Sequence, residues 1–271
     1  MYLLWLRVAA VLYGLASVSA LPAVLGDRPG WRRVCLPLTL SGWLFHVVAF
    51  VEMLAVTHHL MPVGMHEVQS TLSLLIVTAF MLIWLRYRTI SFGVFALPLA
   101  FLFILVPAIG PDKYTFPSSM VRSGWIVIHV TLLLAAYAAL TFSLLASLFY
   151  LAQERRLKHR HSPKFLEWLP PLDTMDQIAQ TTLVLGFYCM TGGLLIGSFI
   201  AQEHVGAAYF LDPKVVLSFV MWLLYVVMLF VRRSTGLRGK RAVYLSSAVF
   251  VVMLCVWAAN LLSSVHRFSA Q

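Results

Sequence analysis

Residues 212–242 read DPKVVLSFVMWLLYVVMLFVRRSTGLRGKRA. Between Val215 and Val231 there is no charge at all, and Arg232, Arg233, Arg238, Lys240 and Arg241 then follow in close order. An apolar run of this kind is a helix that crosses a bilayer, because a hydrocarbon core of about 30 Å takes about 20 residues at ~1.5 Å each. A strand in the same place would leave its backbone groups unpaired in lipid. The basic cluster marks the end that stays on the inner side of the membrane.

Seven further segments have the same character: Leu3–Leu25, Val34–Val56, Val68–Leu85, Ile90–Ile109, Gly124–Leu151, Ile178–Ala201 and Ala242–Leu262. Hydrophobic residues make up 61% of 271 positions and charged residues only 11%, which is more apolar surface than a soluble domain of this size needs. The predicted fold is all-α, a polytopic membrane protein with eight transmembrane helices in a single integral membrane domain over residues 1–271. The longest polar stretch, Gln153–Asp176, is a linker and leaves no room for a separate soluble domain.

Basic residues alternate by loop. Arg28, Arg32 and Arg33 occupy the first connection, Arg86 and Arg88 the third, and Arg155, Arg156, Lys158, Arg160 and Lys164 the fifth. With the five of the seventh connection, fifteen of the twenty Lys and Arg lie on one side. The other side holds Arg7, Lys113, Arg122, Lys214 and Arg267. Both termini are therefore expected on the outer, periplasmic side. The net charge of +10 reports orientation in a lipid bilayer and not a nucleic-acid partner. The first segment is read as a retained helix, since no positive n-region precedes it. A bacterial inner (plasma) membrane is the expected location.

Cys35, Cys189 and Cys255 stand singly in apolar segments, with no C-x-x-C for thiol exchange and no C-x-x-C-H for covalent haem attachment. Nine histidines against few carboxylates is the unusual feature. His159 and His161 fall in the basic inner loop, whereas His46, His58, His59, His66, His129, His204 and His266 fall in helices or on the outer side. Zinc is weakly supported, because no H-x-x-x-H or H-E-x-x-H spacing is present.

His129 lies about 8–10 Å below the outer surface on the fifth segment, and His266 reaches the same leaflet from the eighth. Two readings stand: axial ligands of a six-coordinate haem, or interfacial residues reaching headgroups. Arg122, two helical turns before His129, and Arg267, beside His266, are placed to pair with haem propionates in the first reading. His46 lies near the bilayer midplane, where it is either functional or a neutral imidazole bonded to a Ser or Thr of another helix. Glu52, about 240° round the same helix, faces elsewhere. The G-x-x-x-G at Gly193 and Gly197 reads as close helix packing.

Taken in order, GWIVIHVTLLLAAYAAL, MDQIAQTTLVLGFYCMTGGLLIGS and the stretch quoted first resemble the cytochrome c assembly protein family. These are haem handlers of the CcsA and CcmC type, and the small YpjD- and HemX-like members match best in length and layout. The resemblance implies that outward-facing histidines flanking a tryptophan-rich segment ligate haem iron. His129 matches the first such histidine and His266, after AAN, the last. The tryptophan-rich segment aligns with VGAAYFLDPK, where Val205, Tyr209 and Leu211 replace tryptophans while Gly206, Asp212, Pro213 and Lys214 remain. Phe230 stands where larger members carry a membrane-buried histidine.

The expected function is an inner-membrane haem-binding protein related to cytochrome c biogenesis factors, and not an enzyme. It would hold or transfer non-covalent haem b at the periplasmic face. His129 and His266 would be the iron ligands and His46 a third cofactor contact. Trp125, Tyr209 and Phe210 would cover the macrocycle, and Arg122 and Arg267 would meet the propionates. Partners would be other cytochrome c biogenesis or membrane proteins. A haem-free structural or regulatory subunit, or a transporter using His46 and Glu52, are the alternatives.

Overall fold

The computed structural model of the chain describes residues 1–25, 29–57, 65–110, 124–158, 169–204, 211–236 and 240–258. These residues form eight helices: α1 (Tyr2–Leu25), α2 (Pro29–Thr57), α3 (Met65–Tyr87), α4 (Gly93–Ile109), α5 (Gly124–Lys158), α6 (Leu172–His204), α7 (Pro213–Thr235) and α8 (Lys240–Ala258). Six of them, α1, α2, α3, α5, α6 and α7, are long and apolar enough to cross a membrane, and α4 and α8 contain shorter apolar spans. The helix exteriors carry large apolar side chains: Leu82, Leu195, Phe199 and Phe230 are each more than half exposed. Exposed apolar surface along whole helices is what lipid, and not water, accommodates.

The ends of α7 show how local chemistry sets the helices. Asp212 is extended and its carboxylate accepts the backbone N–H of Lys214 at 3.0 Å, with Pro213 as the first helical residue. That carboxylate satisfies one of the orphan donors of the first turn, and proline sacrifices nothing there. Gly236 ends the helix in the left-handed region, φ 59 and ψ 35, which costs glycine no Cβ clash.

The chain divides into two compact units. The first comprises residues 1–122 and 156–170 and contains α1 to α4. In it α1 packs on α2 and α4, and α3 packs on α4. Ala9, Ala16, Ala20 and Ala23 of α1 are wholly buried, so backbones approach closely. The Tyr13 ring fills the space beside Gly42, where a Cβ would stand 2.8 Å from two ring carbons. Arg7 donates to the carbonyls of Ala108 and Ile109 at 3.0 and 3.3 Å, satisfying two orphan acceptors at the end of α4.

The second unit comprises residues 123–155 and 171–271. Ser143 of α5 donates to the Ala179 carbonyl of α6 at 3.0 Å, and Trp222 of α7 donates to Thr191 of α6 at 3.0 Å. Tyr225 of α7 reaches across Gly186 to donate to the Ala136 carbonyl at 3.3 Å. The Arg232 guanidinium, its side chain buried, forms an ion pair with Asp176 and also donates to the Asp176 carbonyl.

Candidate histidine site on helix 5

His129 projects from α5 onto α6. Its Nδ1 lies 2.6 Å from the carbonyl oxygen of Gly193. A carbonyl only accepts, so Nδ1 carries the proton and Nε2 is left with its lone pair. Gly197, one turn further along α6, makes room for the ring: a Cβ there would stand 2.7 Å from Nδ1. Gly193 in turn seats Leu133, whose Cδ2 would lie 2.7 Å from an added Cβ. The two glycines of the G-x-x-x-G therefore receive a histidine and a leucine from α5, four residues apart on one helix face.

Trp125 lies one turn before His129 on the same helix face and is 64% exposed. Lys214, in the first turn of α7, is half-buried, and its backbone N–H donates to the Asp212 carboxylate at 3.0 Å. Arg122, Tyr209, Phe210, His266 and Arg267 lie outside the described residues.

His46 occupies a different setting, in the first unit. It is completely buried, with Nδ1 3.3 Å from the Tyr13 hydroxyl of α1 and Nε2 3.0 Å from the Ser70 hydroxyl of α3. Both ring nitrogens are thus engaged, one as donor and one as acceptor, as a neutral imidazole allows. Glu52 instead faces the amino terminus, 3.7 Å from the Met1 nitrogen. His66 uses Nδ1 to donate to the Gly110 carbonyl at 3.0 Å. Among the described residues no three His, Cys, Asp or Glu side chains converge as a metal centre.

Residues 38–266 match the family model described as cytochrome C assembly protein, a span that takes in His46, His129 and His266. The chain belongs to the cytochrome c assembly protein family. Among its relatives, a cytochrome c biogenesis protein CcsA of Prochlorococcus marinus is 30% identical over 179 residues, covering 56% of this chain and 57% of the relative. Protein HemX of Bacillus subtilis (strain 168) is 32% identical over 153 residues, covering 56% of this chain and 55% of the relative. The CcsA protein of Guillardia theta is 28% identical over 157 residues, 52% of each chain. The match thus spans little more than half the length of such relatives. Helices, apolar exterior and relatives agree on a multi-pass membrane protein of the cytochrome c assembly family, with haem involvement implied by that membership.

Two features of the site are not evident from the sequence. The G-x-x-x-G is visible there as a packing motif, and only its contacts reveal the imidazole in its groove. Leu133 is visible as one more apolar residue of α5, and only its contacts show that it fills the groove at Gly193. Phe230, at the position where larger members carry a membrane-buried histidine, is 70% exposed on α7 and so points away from the protein interior.

Proposed function

We propose that this protein binds haem b non-covalently, holding or transferring it at the outer face of a bacterial inner membrane, with His129 as one axial ligand. The observation that carries this reading is the hydrogen bond from His129 Nδ1 to the Gly193 carbonyl. Metal-ligating histidines use one ring nitrogen in this way, which fixes the ring and leaves the other nitrogen to the metal. The donor set fits: an imidazole with its tautomer set, partly exposed, seated in a groove only glycine leaves open. Bound haem would supply an iron that accepts an axial imidazole. His129 would bind, Gly193 would orient it, and Trp125 would cover an apolar ring face. His266 is the proposed second ligand and Arg122 and Arg267 the proposed propionate partners, with Tyr209 and Phe210 completing the aromatic cover.

In this reading the protein is not an enzyme; it positions a cofactor and makes no bond. All eight helices span the membrane, α4 and α8 included, and both termini face outward. Its partners are other membrane proteins of cytochrome c biogenesis. His46 serves as a buried hydrogen-bonded pin between α1 and α3, since both its nitrogens are occupied.

Absorption spectra of the detergent-purified chain test the proposal. Wild type reconstituted with haem is expected to show a six-coordinate bis-imidazole spectrum, and His129→Ala and His266→Ala to lose it. Failure of wild type to bind haem supplied in excess would overturn the reading.

A further inference from the structure

The end of α3 uses an arginine where glycine is the easier residue. Arg88 has φ 55, the one positive value at a non-glycine position among the described residues. Its N–H donates to the Trp84 carbonyl at 2.8 Å, which closes the helix by a left-handed cap. The corresponding position at the end of α7 is Gly236, with φ 59. In that region a Cβ crowds the backbone, a cost that glycine escapes. Balancing the negative end of the helix does not explain the choice, because Arg86 already supplies a cation in the last turn.

Both arginines are held in place at this end. The Arg86 guanidinium carbon lies 5.3 Å from the centre of the Tyr87 ring, and that of Arg88 lies 5.4 Å from the centre of the Trp84 ring. A ring attracts the charge but is no substitute for an oxygen acceptor, so the N–H donors still have a partner to gain. The turn that follows is firmly seated: Thr89, Ser91 and Phe92 are buried, and the Gly93 N–H donates to the Ile90 carbonyl at 2.8 Å. Arg86 and Arg88 are exposed, and among the described residues neither forms an ion pair. The described carboxylates of this unit are Glu67, at the other end of α3, and Glu52, near the end of α2 that leads into it. The apolar span of α3 runs from His66 to Tyr87, so the two arginines bracket the point where the helix leaves the lipid.

We propose that Arg86 and Arg88 form a binding site for an acidic phospholipid, whose phosphate oxygens accept from the two guanidinium groups. A guanidinium offers paired donors that match a phosphate, and Trp84 and Tyr87 are the residue types that settle at headgroup depth. The headgroup is one without a cation of its own, since a choline would meet two fixed positive charges. Strain kept at Arg88, where the same chain uses glycine elsewhere, marks the side chain as the functional part of the turn. The site lies in the first unit and is independent of the haem reading.

The test adds phosphatidylglycerol or phosphatidylcholine, with the same acyl chains, to the delipidated full-length protein in neutral detergent. Bound lipid is counted by native mass spectrometry. Wild type is expected to hold phosphatidylglycerol about tenfold more tightly. Arg86→Gln and Arg88→Gly should each lose most of that preference. Arg241→Gln, which removes an exposed cation from the second unit, should keep it. Millimolar inorganic phosphate should not compete. Without lipid, Arg88→Gly should melt at or above the wild-type temperature, because it relieves the backbone, and Arg88→Asn, which also tolerates that region, should do the same.

Equal retention of the two lipids by wild type overturns the proposal. So does a preference that survives in both Arg88 variants, or one that Arg241→Gln loses as fully as they do. Competition by inorganic phosphate would make this a site for a soluble anion and overturn the lipid. If both Arg88 variants melt below wild type, the arginine serves the Trp84 stack that closes the helix, and the proposal falls.

Discussion

At the scale of the residue, two histidines of similar sequence context have opposite surroundings. His46 has both nitrogens bonded within a closed core, whereas His129 has one nitrogen bonded to backbone and sits at a half-open helix face. The difference sorts their expected phenotypes. Tyr13→Phe or Ser70→Ala should cost about 1–3 kcal/mol of stability by leaving a buried imidazole nitrogen unpaired. Neither should alter the spectrum of bound haem. A changed axial-ligand spectrum in either variant would assign His46 to the cofactor instead. Gly197→Ala should act the other way, because its Cβ occupies the His129 ring position. Losing the orienting bond to Gly193 is expected to weaken haem binding about 10–100-fold, measured by spectroscopic titration. Gly192→Ala is the control: its Cβ meets only the Leu132 Cδ1, at 3.3 Å, which is the mobile end of a side chain.

At the scale of the element, polar atoms clamp one helix to the next where lipid supplies no hydrophobic drive between them. The Arg232–Asp176 pair between α7 and α6 is a charged clamp of this kind. Removing the guanidinium takes this partner from the half-buried Asp176 carboxylate, so Arg232→Met should destabilise by about 1–3 kcal/mol. The double variant Asp176→Leu with Arg232→Met should recover most of that loss. Thermal unfolding in detergent reads both, and equal melting of wild type and Arg232→Met would show that water reaches the pair. The helices themselves are legible as apolar runs. Their ends are less so: α5 continues to Lys158 and α6 to His204, because polar residues at a membrane surface extend a helix as readily as they end it. Hydropathy marks the lipid-facing length, not the hydrogen-bonded length.

At the scale of the whole molecule, the charge pattern makes a prediction about orientation. Alkaline phosphatase fused after residue 271 should be active and green fluorescent protein there should be dark, with the reverse for fusions within residues 159–168. The opposite result would place His129 at the inner face and sink the proposed periplasmic site. The class of the molecule and its family were both readable in one dimension. An unbroken apolar run states its solvent without reference to any other part of the chain, and the family match extends over residues 38–266 although a relative is only 30% identical. What only the tertiary structure decided is which polar atoms meet. Whether Nδ1 of residue 129 finds the carbonyl of residue 193 depends on the depth and rotation of two helices. So does whether Gly197 faces a ring or a helix backbone. Depth and rotation are set by packing along the full length of each helix. A linear string of residues carries the pieces of this site but not the angles that bring them together.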